Sequence, residues 1–351
     1  MAFGTLSSFD TLAAQGATVA ALGEAAVYNA IAGQLAVHNA ATREMMGDLV
    51  EITTDRQRVY GGVDTMVMEE LDEFGLPDAQ KMTTGATLGL PLRFYGGALQ
   101  WTRVFFQRTT GNQIAKTVET MMIADVKAIQ REIKRALFRP TNYAFEDRRV
   151  DHVSLAVKAL ANADSASIPS GPNGETFNAA MHTHYLNAAT LTAAALDAQI
   201  ATIIEHFGAG TPLLYINSGQ EAAVRALVGF TAYVDVRITQ PQTATYATGR
   251  ALDTLNVNNR AIGLYGAAEV WVKPWVPANY VVGWMGGVPS PLAYRRNDLG
   301  TGNLELAFEF DQFPLHARGY GREFGIGVVD RVAAAVLFVG AGGVYVSPVI
   351  S

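Results

Sequence analysis

His182-Thr183-His184 sets two imidazoles one residue apart, the pairing in this sequence best suited to chemistry. On an extended strand, residues two apart point the same way, so both rings can reach one metal ion. A third ligand is then needed, and Glu205 or His206, expected on the following helix, can supply it. The competing reading is a pair of histidines bonded to backbone inside a packed domain. With no His-Glu-x-x-His motif and no cysteine, the residues favour that second reading, and no metal or cofactor is predicted. A metal-dependent enzyme using His182 and His184 stands as the distant alternative.

The other motifs carry less chemistry. Gly319-Tyr320-Gly321-Arg322-Glu323-Phe324-Gly325 has the flavour of a dinucleotide loop, but its spacing is wrong and strand residues follow where a helix is required. A twisted or bulged strand is predicted there. No Gly-Lys pair exists for a phosphate loop, and no Gly-x-Ser-x-Gly elbow for a serine nucleophile. The acids Glu69-Glu70 and Asp72-Glu73 read as charges at the tip of a ribbon, and Asp147-Arg148-Arg149 as a solvated turn. Trp271, Trp275, Tyr280 and Trp284 read as core or interface packing in preference to a base-stacking platform.

Composition narrows the class further. At 351 residues and 49% hydrophobic content the chain can bury a full core, and 17% charged residues rule out a disordered polymer. A net charge of -6 argues against a protein whose main task is gripping phosphates. Zero cysteines exclude disulfides and thiolate sites and agree with a reducing cytoplasm. Residues 1–20 lack Lys and Arg, so no export signal is predicted. The uncharged run from Val332 is broken by Gly340, Gly342, Gly343 and Pro348, which predicts buried strands and no membrane span.

The elements that must position these residues follow from periodicity. Residues 1–48 hold at least one helix, marked by Val27, Ile31 and Leu35, preceded by a Gly-punctuated extended arm too apolar to stay in water. Across 49–108, β-like runs at Glu51–Thr54, Thr65–Met68, Leu88–Phe94 and Gln100–Gln107 alternate with glycine turns such as Gly61-Gly62. A lone ribbon of this kind is marginally stable and must rest on something else. From Asn112, the expected N-cap, to Phe138 the spacing of Ile114, Val118, Met122, Ile129, Ile133 and Leu137 predicts a helix roughly 40 Å long, stopped by Pro140. Lys127, Arg131, Lys134, Arg135 and Arg139 load its C-terminal half, where the helix dipole favours cations. After a turn-rich loop at 164–178, Leu196, Ile200, Ile203 and Phe207 predict a helix, Pro212–Ile216 a buried strand, and Ser218-Gly219-Gln220-Glu221 a capping box. Tyr233–Thr239 alternates, with Val234, Val236 and Ile238 on one face. Beyond Ile262 the chain is mostly strand, at Glu269–Val272, Tyr280–Trp284, Leu304–Phe310, Phe324–Val329 and Val332–Val339. In Leu304–Phe310 the four apolar residues share one face, opposite Glu305 and Glu309.

Three stretches give this order a likeness. They are Gly89-Leu90-Pro91-Leu92-Arg93-Phe94-Tyr95 with Trp101-Thr102 and the helix end Ala136-Leu137-Phe138; Gly263-Leu264-Tyr265-Gly266 with Val270, Val276-Pro277 and Tyr280; and Gly319-Tyr320-Gly321-Arg322, Phe324-Gly325-Ile326-Gly327 and Arg331 through Leu337. As an ordered set spanning roughly residues 50–345, they resemble the major capsid proteins of tailed bacteriophages. The resemblance implies an α+β fold of the Hong Kong 97 type with N-arm, extended β-loop, long spine helix, P-domain and α/β A-domain. On this chain it would divide as arm 1–48, extended loop 49–108, spine helix and start of the P-domain 109–150, A-domain 151–260, and closing P- and A-domain strands 261–351.

The same resemblance implies a structural, non-enzymatic subunit that assembles into hexamers and pentamers of an icosahedral shell around double-stranded DNA, without sequence-specific binding. Encapsulin-type compartments share the fold and form the nearer alternative. A long N-terminal scaffolding segment of the kind many relatives carry has no room here, so scaffolding is expected from a separate protein, beside portal and, as an open matter, decoration proteins. Lys81 lies in the ribbon, but no motif supports transferring the lysine–asparagine cross-link of some relatives. Inter-subunit ion pairs are expected at the extended-loop arginines Arg56, Arg58, Arg93 and Arg103.

Overall fold

A computed structural model of the chain describes residues 8–47, 49–60, 68–71, 73–78, 85–233, 259–312 and 314–350. Of the predicted features, the Gly61-Gly62 turn, most of the Thr65–Met68 run, Asp72, Lys81 and the alternating residues Val234, Val236 and Ile238 lie outside them.

The N-terminal region corrects the expectation of an extended arm. It is helical, with α1 at Phe9–Ala14, α2 at Val19–Leu22 and α3 at Glu24–Met46. Alanine-rich sequence has high helix propensity, and Gly23, at φ +92°, lets the chain turn between α2 and α3. The apolar residues that looked too greasy for solvent are buried against this chain itself. Phe9, Leu12, Val19, Val27, Ile31 and Leu35 pack on Phe106, Ile114, Val118, Met122, Leu304 and Tyr320.

Next come β1 (Val50–Thr53), β2 (Gln57–Tyr60), β3 (Ala86–Gly89) and β4 (Arg93–Thr102). β2 and β3 form an antiparallel ribbon. The strand expected at Gln100–Gln107 ends at Thr102, whose hydroxyl accepts from the Phe105 N–H and caps a short helix, α4 (Arg103–Arg108). The spine helix α5 runs Gly111–Phe138. Its N-cap is Thr110 and not Asn112. Thr110 Oγ1 accepts from the Gln113 N–H while the Gln113 side chain accepts from the Thr110 N–H, a reciprocal box that satisfies two otherwise orphaned donors.

The remaining elements are β5 (Tyr143–Glu146), β6 (Ser154–Val157), β7 (Tyr185–Ala188), α6 (Ala193–Ile204), β8 (Thr211–Ile216), α7 (Glu221–Arg225), β9 (Phe230–Ala232), β10 (Arg260–Tyr265), β11 (Ala268–Val272), β12 (Tyr280–Gly286), β13 (Leu292–Arg296), β14 (Glu305–Gln312), β15 (Leu315–Val328) and β16 (Ala334–Val339). The capping box expected at Ser218 is absent. Asn217 caps a 3-10 turn at Ser218–Gln220, and α7 follows from it.

Two sheets carry the molecule. The larger has the order β7-β16-β12-β8-β11-β10-β9 and is the α/β unit, with α6 against it. The other has the order β1-β13-β15-β14, and β4 also pairs with β15 along ten residues from Arg93 to Thr102. The closing stretch of the chain therefore serves both sheets. α5 joins two cores: Ile114, Val118 and Met122 lie in the core with the N-terminal helices, while Ile129, Ile133, Leu137 and Phe138 lie in the core with Trp271, Trp275, Tyr280 and Trp284. Each large apolar side chain so buried stabilises the fold by about 1.5–3 kcal/mol.

The glycine motif is a strand, as predicted, and packing explains its residues. In β15 a Cβ on Gly321 would overlap the Phe94 ring, and one on Gly325 would overlap the Pro91 carbonyl. Glycine here admits a close neighbour, not a phosphate. The face shared by Leu304, Leu306, Phe308 and Phe310 is covered at one end only. Leu304 is buried, but Leu306, Phe308 and Phe310 are 46%, 53% and 43% exposed on β14, the last strand in its sheet.

Candidate functional site

His182 and His184 enter the structure immediately before β7. Strand-like bonding fixes His184: its N–H donates to the Ala161 carbonyl at 2.7 Å, and its carbonyl accepts from the Val336 N–H at 2.8 Å. Glu205 and His206 sit at the C-terminal end of α6, which the apolar stripe Leu196, Ile200 and Ile203 docks on the sheet. Both residues proposed as a third ligand are thereby delivered to the same place.

The three Nε2 atoms form a tight triangle, 3.0 Å between His182 and His184, 3.0 Å between His182 and His206, and 3.2 Å between His184 and His206. Glu205 Oε1 lies 3.7 Å from Nε2 of both His182 and His206. Among the described residues this is the one group of three or more such side chains close enough to share an ion. The Phe177 ring packs 4.3 Å from the His206 ring and 5.0 Å from that of His182.

Hydrogen bonding sets the tautomer of His184. Its Nδ1 is 2.8 Å from the Ala334 carbonyl, which can only accept. Nδ1 therefore carries the proton, and Nε2 presents a lone pair to the other two rings. Burial pushes the His184 pKa well below the usual histidine range, helped by the neighbouring His206, and pushes His206 down to about 4. His182 is lowered by burial as well, and burial raises Glu205. At neutral pH the imidazoles are neutral.

The other predicted residues resolve differently. Arg56, Arg58, Arg93 and Arg103 each meet an acid of their own chain. Arg56 Nε is 3.0 Å from Asp147 and its Nη1 donates to Asp151 at 2.8 Å. Arg58 pairs with Glu51 and with Asp55 at 2.7 Å, Arg93 with Glu132 at 3.6 Å, and Arg103 with Asp311 at 3.9 Å. Asp147 is not part of a solvated turn. It is fully buried, 2.9 Å from Arg295 and 3.0 Å from Arg56.

One buried network escaped the sequence reading. Arg322 places Nε and Nη2 on the two carboxylate oxygens of Asp125 at 2.9 and 2.7 Å, and donates to Asn39 Oδ1 at 2.9 Å and the Gly302 carbonyl at 3.0 Å. His38 Nε2 sits 2.8 Å from the same carboxylate. The network knits α3, α5 and β15 together. Its members lie far apart in sequence, and the only hint was charge on the apolar face of α5.

Among the described residues, two apolar stretches are exposed. One is the β14 face bearing Leu306, Phe308 and Phe310. The other is the segment at 68–78, where Met68, Phe74 and Leu76 are 97%, 87% and 89% exposed. Patches of this kind mark interaction surfaces in proteins that stay in solution. No described helix is long and apolar enough to cross a membrane.

No protein-family model matches the chain, and no curated protein matches it. Solved structures do. A chain from Mycobacterium phage Patience is 23% identical, superposes with a TM-score of 0.67, and is matched over 92% of this chain and 90% of that one. A chain from the capsid of the native GTA particle is 11% identical with a TM-score of 0.50, over 86% of this chain and 90% of that one. At such identities the likeness speaks to architecture, and it extends over nearly the whole length of both partners. With its spine helix, α/β sheet and long closing strands, and a likeness that spans nearly its whole length, this chain has the Hong Kong 97-type capsid fold.

Proposed function

We propose that the chain is the major capsid protein of a tailed bacteriophage, assembling into hexamers and pentamers of an icosahedral head that encloses double-stranded DNA. The observation that carries this reading is the exposed apolar surface on a chain of this fold, at Met68 and Leu76 and along β14. Rings of five or six copies use heterologous contacts, in which one patch meets a different patch on the next copy. An exposed apolar segment and an edge strand suit that geometry. Of the four arginines expected at interfaces, Arg103 has the longest ion pair in its own chain and is half exposed, which leaves it best able to engage a neighbour. The shell role needs no catalytic group. It implies separate scaffolding and portal proteins, assembly in the bacterial cytoplasm and a place in the virion.

The test is electron microscopy of the expressed protein, alone and with its scaffold. Shells or capsomer rings are expected. Met68→Asp combined with Leu76→Asp should abolish them while leaving the subunit's thermal midpoint unchanged, because both side chains are solvent-exposed within one chain. Wild-type shells formed by the double variant would refute the proposed contact, and a monomer under all assembly conditions would refute the function. Nuclease-protected DNA in native particles separates a phage head from an enzyme-filled compartment.

A further inference from the structure

We infer that His182, His184, His206 and Glu205 form a structural site for a tetrahedral divalent transition-metal ion, of which zinc is the best match. The inference rests on this chain's geometry and is independent of the shell function.

The first argument is distance. An ion held by imidazole nitrogens at about 2.0–2.1 Å in tetrahedral geometry sets its ligand atoms about 3.3 Å apart. The three Nε2 atoms lie 3.0, 3.0 and 3.2 Å apart and a carboxylate oxygen caps two of them at 3.7 Å. The three nitrogens need to move by only a few tenths of an ångström to accept the ion, whereas the Glu205 side chain, more than 4 Å from His184 Nε2, has to swing further inward to become the fourth ligand. Three nitrogen ligands and one carboxylate, with no thiolate, make a donor set common for zinc and shared with copper and nickel.

The second argument is proton accounting. His184 Nε2 is an acceptor, because its Nδ1 proton is committed to the Ala334 carbonyl. With neutral rings, a proton on one of the other two Nε2 atoms satisfies contacts to its neighbours but leaves two lone pairs facing each other across the triangle. Protons on both leave two N–H groups opposed at 3.0 Å. No assignment of neutral tautomers makes all three contacts hydrogen bonds. A cation at the centre satisfies all three lone pairs at once. The Nδ1–H to carbonyl bond of His184 is also the outer-shell contact that commonly orients a metal-binding imidazole.

The third argument is placement. The four ligands come from the end of the turn-rich stretch before β7 and from the C-terminal end of α6, and His184 is bonded to the first residue of β16. Residues 163–184 hold no helix or strand, and a metal would fasten their C-terminal end to the α/β sheet. With Glu205 turned inward the protein would supply all four ligands, as in a closed structural site; a catalytic site keeps one position open. His184 and His206 are buried while His182 and Glu205 reach the rim, so the ion can enter from one side.

The full-length chain, expressed without an affinity tag and dialysed against zinc chloride, should retain about one zinc per chain by mass spectrometry. Replacing zinc with Co2+ should produce the intense visible absorption of a tetrahedral cobalt centre. Because His184→Gln alters a fully buried side chain, the discriminating variants are His182→Gln and Glu205→Gln at the rim, each expected to weaken zinc binding by at least about tenfold. His152→Gln, at an exposed histidine outside the cluster, should bind as wild type. Folded wild-type protein that retains no zinc and gives no cobalt absorption would overturn the inference. So would rim variants that bind zinc as tightly as wild type.

Discussion

Removing one partner of the Arg322–Asp125 pair should destabilise the subunit far more than removing both. The two side chains are 1% and 4% exposed, and Asp125 receives two guanidinium hydrogen bonds at 2.9 and 2.7 Å. Asp125→Ala leaves the Arg322 charge buried against Asn39 and the Gly302 carbonyl, with no counter-charge. Breaking a buried pair in this way costs about 3–5 kcal/mol, and Arg322→Met should cost a similar amount. The double variant leaves neither an unpaired guanidinium nor an unpaired carboxylate, and only the His38 ring loses its Asp125 partner. Asn39 retains its bonds to the backbone of Leu304, and the Gly302 carbonyl still accepts from the Tyr294 hydroxyl. Its penalty should fall below that of either single change, since apolar replacement of such a pair is often close to neutral. Urea titration of dissociated subunits, followed through the buried Trp271, Trp275 and Trp284, measures all three, and the double-mutant cycle isolates the coupling. A single variant costing under about 1 kcal/mol, or a double variant costing the sum of the singles, would refute the reasoning.

Acid should reach the subunit partly through Asp164. Burial alone would raise its pKa, but the hydrogen bond from Lys158, the Arg331 charge and Asn142 hold it well below the usual aspartate range. Its contribution is therefore complete above the unfolded value of 3.8 and is lost as the pH falls from there toward the folded value. Asp164→Asn should flatten the acid limb of a stability-against-pH curve below about pH 4; an unchanged limb would count against it. Gly325→Ala should cost about 1–3 kcal/mol because Pro91 backbone occupies the space, whereas Gly97→Ala, which meets nothing within 4 Å, should be tolerated; equal thermal midpoints would contradict this. Thr110→Ala should cost about 1 kcal/mol through loss of the spine-helix cap, read by the same urea titration.

Periodicity and punctuation were sufficient for the parts of the fold where local and tertiary demands agree. The spine helix, α6, β8 and the closing strands are legible because apolar spacing, stops and caps all point the same way. The ordered motifs at Gly89–Tyr95, Gly263–Tyr280 and Gly319–Leu337 carried the architecture as well, because close packing in β15 leaves room only for glycine at Gly321 and Gly325. The pair His182 and His184, and the two residues able to join them, were also visible in the chain order.

What only the three-dimensional arrangement decided is everything that depends on residues distant in sequence. The N-terminal residues were correctly read as too apolar for solvent, yet their partner surface proved to be this chain's own spine helix, which no local pattern specifies. Leu306, Phe308 and Phe310 alternate like a buried face but lie open, because alternation records that a face wants cover and not whether the same chain provides it. Arg322 and Asp125 meet across nearly two hundred residues of chain. The three histidine nitrogens converge only because α6 docks its C-terminal end beside β7 and β16. Spacing along a chain fixes direction over a few residues, whereas distance in space is set by packing, and both charge pairing and metal binding depend on distance.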